Sequence, residues 1–225
     1  MEPKERIARR VAGEIAPGVL VNLGIGLPSL VASFVPVESG VFFQSENGVI
    51  GLGTRPPEGM EEPDLTDAGG GFVSAVPGAA AIDSAMSFGL IRGGHVEVTV
   101  LGGLQVDEYG RLANWMIPGA MVPGMGGAMD LATGARKVIV AMQHMANGKS
   151  KVVRTCDLPL TSSRPIDLLV TDLAVFEVVQ SSLLLKEIAP GLTVGDIETS
   201  TEARFEICVD LKPMDENRPV IGRIQ

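Results

Sequence analysis

The chain has 225 residues, 45% hydrophobic and 20% charged, with a formal net charge of -9. This fits a globular protein with its own core and excludes a disordered one. The acidic balance argues against a nucleic-acid partner, which needs Lys and Arg massed on one face. A local anion site stays possible.

Lys4 to Ala16 reads as an amphipathic helix, with Ile7, Val11, Ala12 and Ile15 on one face and Arg6, Arg9, Arg10 and Glu14 elsewhere. Pro17-Gly18 stops it. The mixed-charge start, Met1 to Arg6, lacks the apolar core of a signal peptide, so a cytoplasmic location is expected. Val19 to Leu23 is a buried strand. Gly24-Ile25-Gly26-Leu27-Pro28-Ser29 is a tight turn into a helix. Val41 to Gln44 is a strand ending at Ser45-Glu46-Asn47-Gly48. Phe72 to Val76 (strand), Ala79 to Leu90 (helix), Val96 to Leu101 (strand) and Val138 to Met142 (strand) follow, with a glycine-rich loop before the last.

Apolar runs alternating with helical patterns predict parallel strands buried on both faces. The expected class is α/β, an open mostly parallel sheet flanked by helices. Leu168–Val170, Ala174–Val179 and Leu183–Ile188 are expected to add an antiparallel C-terminal extension. A short helix over Thr193–Thr199, a closing strand over Ala203–Val209 and a loose tail over about 210–225 complete the chain. No linker or repeat interrupts it, so residues 1–225 are expected to form one domain. The uncharged stretches Ile15–Val37 and Leu112–Met129 carry too many Pro and Gly to span a membrane.

The 28 glycines cluster without a period, as backbone does where it must approach something closely. Two histidines, His95 and His144, stand apart from Cys, Asp and Glu at ligand spacing, so no metal is expected. Cys156 and Cys208 read as reduced thiols. There is no Gly-x-Ser-x-Gly elbow and no phosphate-binding Walker loop.

Three features carry chemistry. Gly24-x-Gly26-x-x-Ser29 is either a tight strand-helix turn or a backbone surface facing a phosphate or pantetheine. Glu46 sits between Phe42-Phe43 and Val49-Ile50, on a turn at the carboxyl end of a strand. There it either caps the turn or serves as a poorly solvated nucleophile. Pro123-Gly124-Met125-Gly126-Gly127-Ala128-Met129-Asp130 is either side-chain-free packing or a nest of N–H groups for an oxyanion.

Together these residues resemble family I coenzyme A transferases, specifically the B (beta) subunit of the 3-oxoacid (acetoacetyl-CoA:acetate) type. The likeness runs from Lys4 to about Val209. Its motifs come in order: Val21-Asn22-Leu23-Gly24-Ile25-Gly26-Leu27-Pro28, Gln44-Ser45-Glu46-Asn47-Gly48, Gly51-Leu52-Gly53, Phe88 to His95, Leu112-Ala113-Asn114-Trp115, Gly126 to Asp130 and Leu158-Pro159-Leu160-Thr161. The resemblance implies that Glu46 is the catalytic carboxylate and that Gly127 gives a backbone N–H to an oxyanion hole. It implies that Asn22, Gly24 and Gly26 lie near the coenzyme. Coenzyme A is then a substrate, no cofactor is held permanently, and transfer proceeds through a Glu46 acyl anhydride and a Glu46–CoA thioester. A partner A (alpha) subunit, in an α2β2-type heteromer, supplies the rest of the oxyanion hole. One departure is Gly70, where family members often carry a lysine. Two other functions compete: a non-catalytic acyl-CoA-binding module of the same fold, and an NAD-dependent oxidoreductase, whose fingerprint lacks its third glycine here.

Overall fold

The computed structural model describes residues 1–119 and 124–214. In chain order these form α1 (Pro3–Ala12), β1 (Leu20–Leu23), a 3-10 segment (Pro28–Phe34), β2 (Phe42–Ser45), β3 (Val49–Leu52), β4 (Ala75–Ala81), α2 (Ser84–Arg92) and β5 (Val98–Leu101). Then come β6 (Gln105–Asp107), β7 (Leu112–Ala113), α3 (Ala128–Gly134), β8 (Lys137–Ala141), β9 (Met145–Ala146), β10 (Lys149–Ser150) and β11 (Val152–Val153). The chain closes with β12 (Leu168–Val170), β13 (Ala174–Val179), β14 (Ser182–Ile188), α4 (Val194–Ser200) and β15 (Phe205–Pro213).

Ten strands make one sheet in the order β15-β14-β13-β12-β8-β5-β1-β2-β3-β4. The middle five, β12 to β2 in that order, are all parallel. Each flank adds an antiparallel pair: β3 and β4 on one side, β13 and β14 on the other. The mostly parallel α/β sheet thus matches expectation, with two corrections. The antiparallel part is not confined to the C-terminal end, and the closing strand β15 lies parallel to β14.

The core occupies both faces of the sheet, as uninterrupted apolar strands require. In β8, Val138 and Val140 belong to one cluster with Ile91 of α2, Leu131 of α3 and Ile197 of α4, while Ile139 and Ala141 belong to the other, with Ile7 and Val11 of α1. In β12, Leu169 joins the first cluster, and Leu168 and Val170 join the second.

Three boundaries depart from the sequence reading for local reasons. The segment expected as a helix from Ala79 is strand as far as Ala81, and α2 begins only where the Asp83 side chain accepts the Met86 N–H (2.8 Å). Helix α1 stops at Ala12, where the Gly13 N–H bonds Arg9 and the last turn tightens. The tail expected to be loose from about 210 is strand as far as Pro213. Met214 is buried and donates its N–H to the Ile188 carbonyl. Residues 215–225, and Pro123 of the glycine-rich turn, lie outside the described residues. Among the described residues no helix is long and apolar enough to cross a membrane.

Arg10, expected on the polar side of α1, is buried. Its guanidinium bonds both oxygens of Glu187 (2.7 and 2.8 Å) and Glu14 (2.8 Å), and Glu14 also takes Lys137 (2.7 Å). Burial alone would push the Glu14 carboxyl up; its bond to Lys137 and the charges of Lys137 and Arg10 override that and hold it below the ordinary range. A carboxylate held low in this way stabilises the fold at neutral pH and loses that contribution in acid. Arg10→Ala takes the guanidinium from the mostly buried Glu187 and leaves Glu14 to Lys137, and urea denaturation at pH 7 is expected to show a loss of about 3–5 kcal/mol.

Candidate active site

Glu46 stands where β2 ends and the chain reverses into β3. The register Ser45↔Val49 leaves Glu46, Asn47 and Gly48 as the turn. The turn is pinned from three sides. The Gly48 N–H bonds the Ser45 carbonyl (3.0 Å), its carbonyl accepts Ile82 N–H (2.9 Å), and the Asn47 amide reaches the Thr66 carbonyl (2.7 Å). Gly48 has φ 125°, and a Cβ there would lie 2.0 Å from the Ile82 carbonyl oxygen, so no other residue fits. The Glu46 side chain is left half-buried at the carboxyl ends of the parallel strands.

A cavity of about 800 Å³ opens there. Its walls come from the ends of β1, β2 and β5 and the segments that follow them, together with Asp67–Gly69, Gly124–Ala128 and Leu131. This is the crevice that the carboxyl ends of an open parallel sheet provide. Asn114 closes part of it: its amide donates to the Gly102 carbonyl (3.1 Å), and its own oxygen accepts the Thr161 hydroxyl (2.6 Å). Two motifs singled out in the sequence, Leu112–Trp115 and Leu158–Thr161, therefore act on the cavity wall.

Three of the predicted residues meet directly. Gly127 is buried, and a Cβ built on it would lie 3.0 Å from Glu46 Cγ and 3.2 Å from Glu46 Oε1. The Glu46 side chain thus fills the space that a side chain on Gly127 would need. The loop before it bends through Gly124 (φ 101°) and Gly126 (φ 54°). Asn22 is fully buried, and its Nδ2 donates to Glu46 Oε2 at 3.3 Å.

Asn22 belongs to a row that composition and motif did not reveal. In register it lies beside Gln44 of β2 on one side and Thr99 of β5 on the other. Asn22 Nδ2 also lies 3.2 Å from both the backbone oxygen and Oε1 of Gln44. The Thr99 hydroxyl approaches its Oδ1 at 3.5 Å, and Gln44 Nε2 donates to the Ser87 hydroxyl of α2 at 2.8 Å. The hydroxyl and the neighbouring amide fix which end of Asn22 faces Glu46. All four polar residues are buried.

The two glycines differ. The Gly24 N–H is committed to the Val100 carbonyl (2.8 Å), while Gly26 is exposed, with φ 84° and open space beside it. Both line the cavity. Asp67 forms part of the opposite rim and accepts the Gly69 and Gly71 N–H groups on Oδ1 (2.8 and 2.9 Å). The turn this makes sets Gly70 at φ 78°, where a side chain is disfavoured. His144 is remote from the site, enclosed by Thr171 and Thr201, and burial pushes it down to about 4, so it is neutral at pH 7.

The coenzyme A transferase family model matches residues 4–200. The chain belongs to the coenzyme A transferase family. It is 55% identical over 212 residues to the beta subunit of the acetate CoA-transferase of Escherichia coli, covering 94% of this chain and 97% of that one. It is 48% identical over 205 residues to the B subunit of the succinyl-CoA:3-ketoacid coenzyme A transferase of Helicobacter pylori, covering 91% and 99%. Among solved structures, an acyl-CoA transferase apoenzyme from Escherichia coli superposes with TM-score 0.77 at 26% identity; the match covers 96% of this chain but 44% of that longer one.

Proposed function

We propose that this chain is the beta subunit of a 3-oxoacid CoA-transferase and that Glu46 is its nucleophile. The observation that carries this is the half-buried Glu46 carboxylate inside the cavity, which accepts the Asn22 amide and stands where a side chain on Gly127 would be. The Glu46 carboxylate attacks an acyl-CoA thioester carbonyl. The tetrahedral oxyanion draws on N–H donors such as that of Gly127, and CoA thiolate leaves a mixed anhydride. The thiolate then attacks the glutamyl carbonyl, releasing the first acid and leaving a Glu46–CoA thioester. A second acid runs the sequence backwards. Donor, acceptor and nucleophile are all carboxylates, so each covalent step is close to balanced. Water must be kept from the thioester.

Relatives that are themselves named as one of two kinds of subunit support a partner alpha subunit, which supplies a second oxyanion donor in an α2β2-type complex. Co-expression with that subunit, followed by size-exclusion chromatography, should give one heteromeric peak. Incubating the complex with acyl-CoA and then borohydride should reduce the thioester and leave Glu46 as an alcohol detectable by peptide mass. An unmodified Glu46 in an actively exchanging complex would rule out the covalent route.

Asn22 is expected to position the carboxylate rather than hold coenzyme. Asn22→Ala should lower kcat about 10–100-fold with KM for acyl-CoA little changed. A rise in KM at constant kcat would return Asn22 to the coenzyme.

A further inference from the structure

The charge of the cavity limits the acids that can enter it. The described residues lining it include two carboxylates, Glu46 and Asp67, and none is Lys, Arg or His. The remaining wall is glycine, apolar side chains and a few amides and hydroxyls such as Asn22, Gln44 and Asn114. Gly70, beside the Asp67 rim, brings no side chain.

We propose that this cavity selects acids with one carboxylate and a short uncharged tail, and rejects dicarboxylic acids. The inference rests on the transferase reading above. The acceptor carboxylate oxygen bonds to the glutamyl carbon of the Glu46–CoA thioester, and CoA thiolate leaves. The thiolate then bonds to the acceptor's acyl carbon, and the Glu46 carboxylate leaves. One negative charge is thus passed between acid and enzyme, and the site needs to accommodate only that one. A second carboxylate on the acceptor takes no part in this exchange. Inside the cavity it would meet the Asp67 carboxylate, with no Lys, Arg or His among the described lining residues to neutralise it.

Acceptor competition on the reconstituted alpha–beta complex tests this. Acetate and butyrate should exceed succinate in kcat/KM by about tenfold or more. Asp67→Asn removes one carboxylate while keeping the Oδ1 that accepts both glycine N–H groups, so its fold is preserved. Ser29→Lys adds a cation from an exposed position on the cavity wall. Each variant should narrow the gap several-fold while acetate is still used. Succinate accepted as well as acetate by the unaltered complex would overturn the proposal. So would a gap that neither variant moves, because selection would then lie outside this cavity. A complex that exchanges CoA with no acid at all defeats the transferase reading itself, an outcome distinct from exchange with the wrong acid.

Discussion

Glu46→Ala is expected to abolish CoA exchange, with kcat/KM down by at least ~10⁴-fold, the scale seen when a covalent nucleophile is removed. The fold should survive. Glu46 has a single described hydrogen-bond partner, Asn22 Nδ2 at 3.3 Å, and its side chain is half-exposed to the cavity. The turn is held by Gly48, Asn47 and Ser45 through bonds that alanine leaves in place. Circular dichroism and the urea midpoint should therefore match the parent, and the complex with the alpha subunit should still form. Glu46→Asp refines the test. It keeps the charge but draws it back by about one bond length, roughly 1.5 Å, away from both Gly127 and Asn22. Misplacement on that scale costs about 10²-fold in rate. Steady-state exchange assays on all three proteins give the order parent, Asp, Ala. Full activity in the alanine variant would mean that the carboxylate merely caps its turn.

Much of this was legible in the sequence, and what was missed has physical reasons. The alternation of apolar runs and helices gave the sheet because buried parallel strands have no polar face to hide. Of the β3–β4 pair, β3 was not foreseen and β4 was expected only over Phe72–Val76, because it continues as Pro77-Gly78-Ala79-Ala80-Ala81, poor strand formers whose conformation is imposed by pairing with β3. Gly51 records that pairing, since a Cβ there would lie 2.9 Å from the Ala79 Cβ. Glu46 stood out because a charged residue follows an apolar strand on a glycine turn. Its contact with Gly127 could not be read, since 81 positions separate them and only the fold closes the distance. The Asn22–Gln44–Thr99 row does leave a trace in the sequence. Each is a polar residue set within an apolar strand, and polar groups buried in a sheet must find one another. Arg10 was misplaced for the opposite reason. Helical periodicity assigns faces by polarity and does not foresee that a guanidinium will be buried when Glu14 and Glu187 converge on it.

Gly127→Ala is the sharpest test of how Glu46 is held. Gly127 has φ -81° and ψ 1°, a conformation open to alanine, so backbone strain contributes nothing. The new methyl would stand 3.0 Å from Glu46 Cγ, 3.2 Å from Oε1 and 3.3 Å from Cδ, all closer than ordinary contact. One side must yield. Gly127 leads directly into α3, whose Asp130 is tied to Arg92 of α2 at 2.7 Å, so the backbone resists. The carboxylate, with one amide partner and open cavity beyond it, moves instead. The displacement needed is a few tenths of an ångström, but it is applied to the attacking atom, and it also crowds the space where an oxyanion would meet the Gly127 N–H. A fall in kcat of about 10–100-fold is expected, with stability within about 1 kcal/mol of the parent. The direction distinguishes this from a packing role. A glycine needed only for close packing would register its loss in the urea midpoint and leave kcat alone. One that sets the reach of Glu46 loses kcat at an unchanged midpoint.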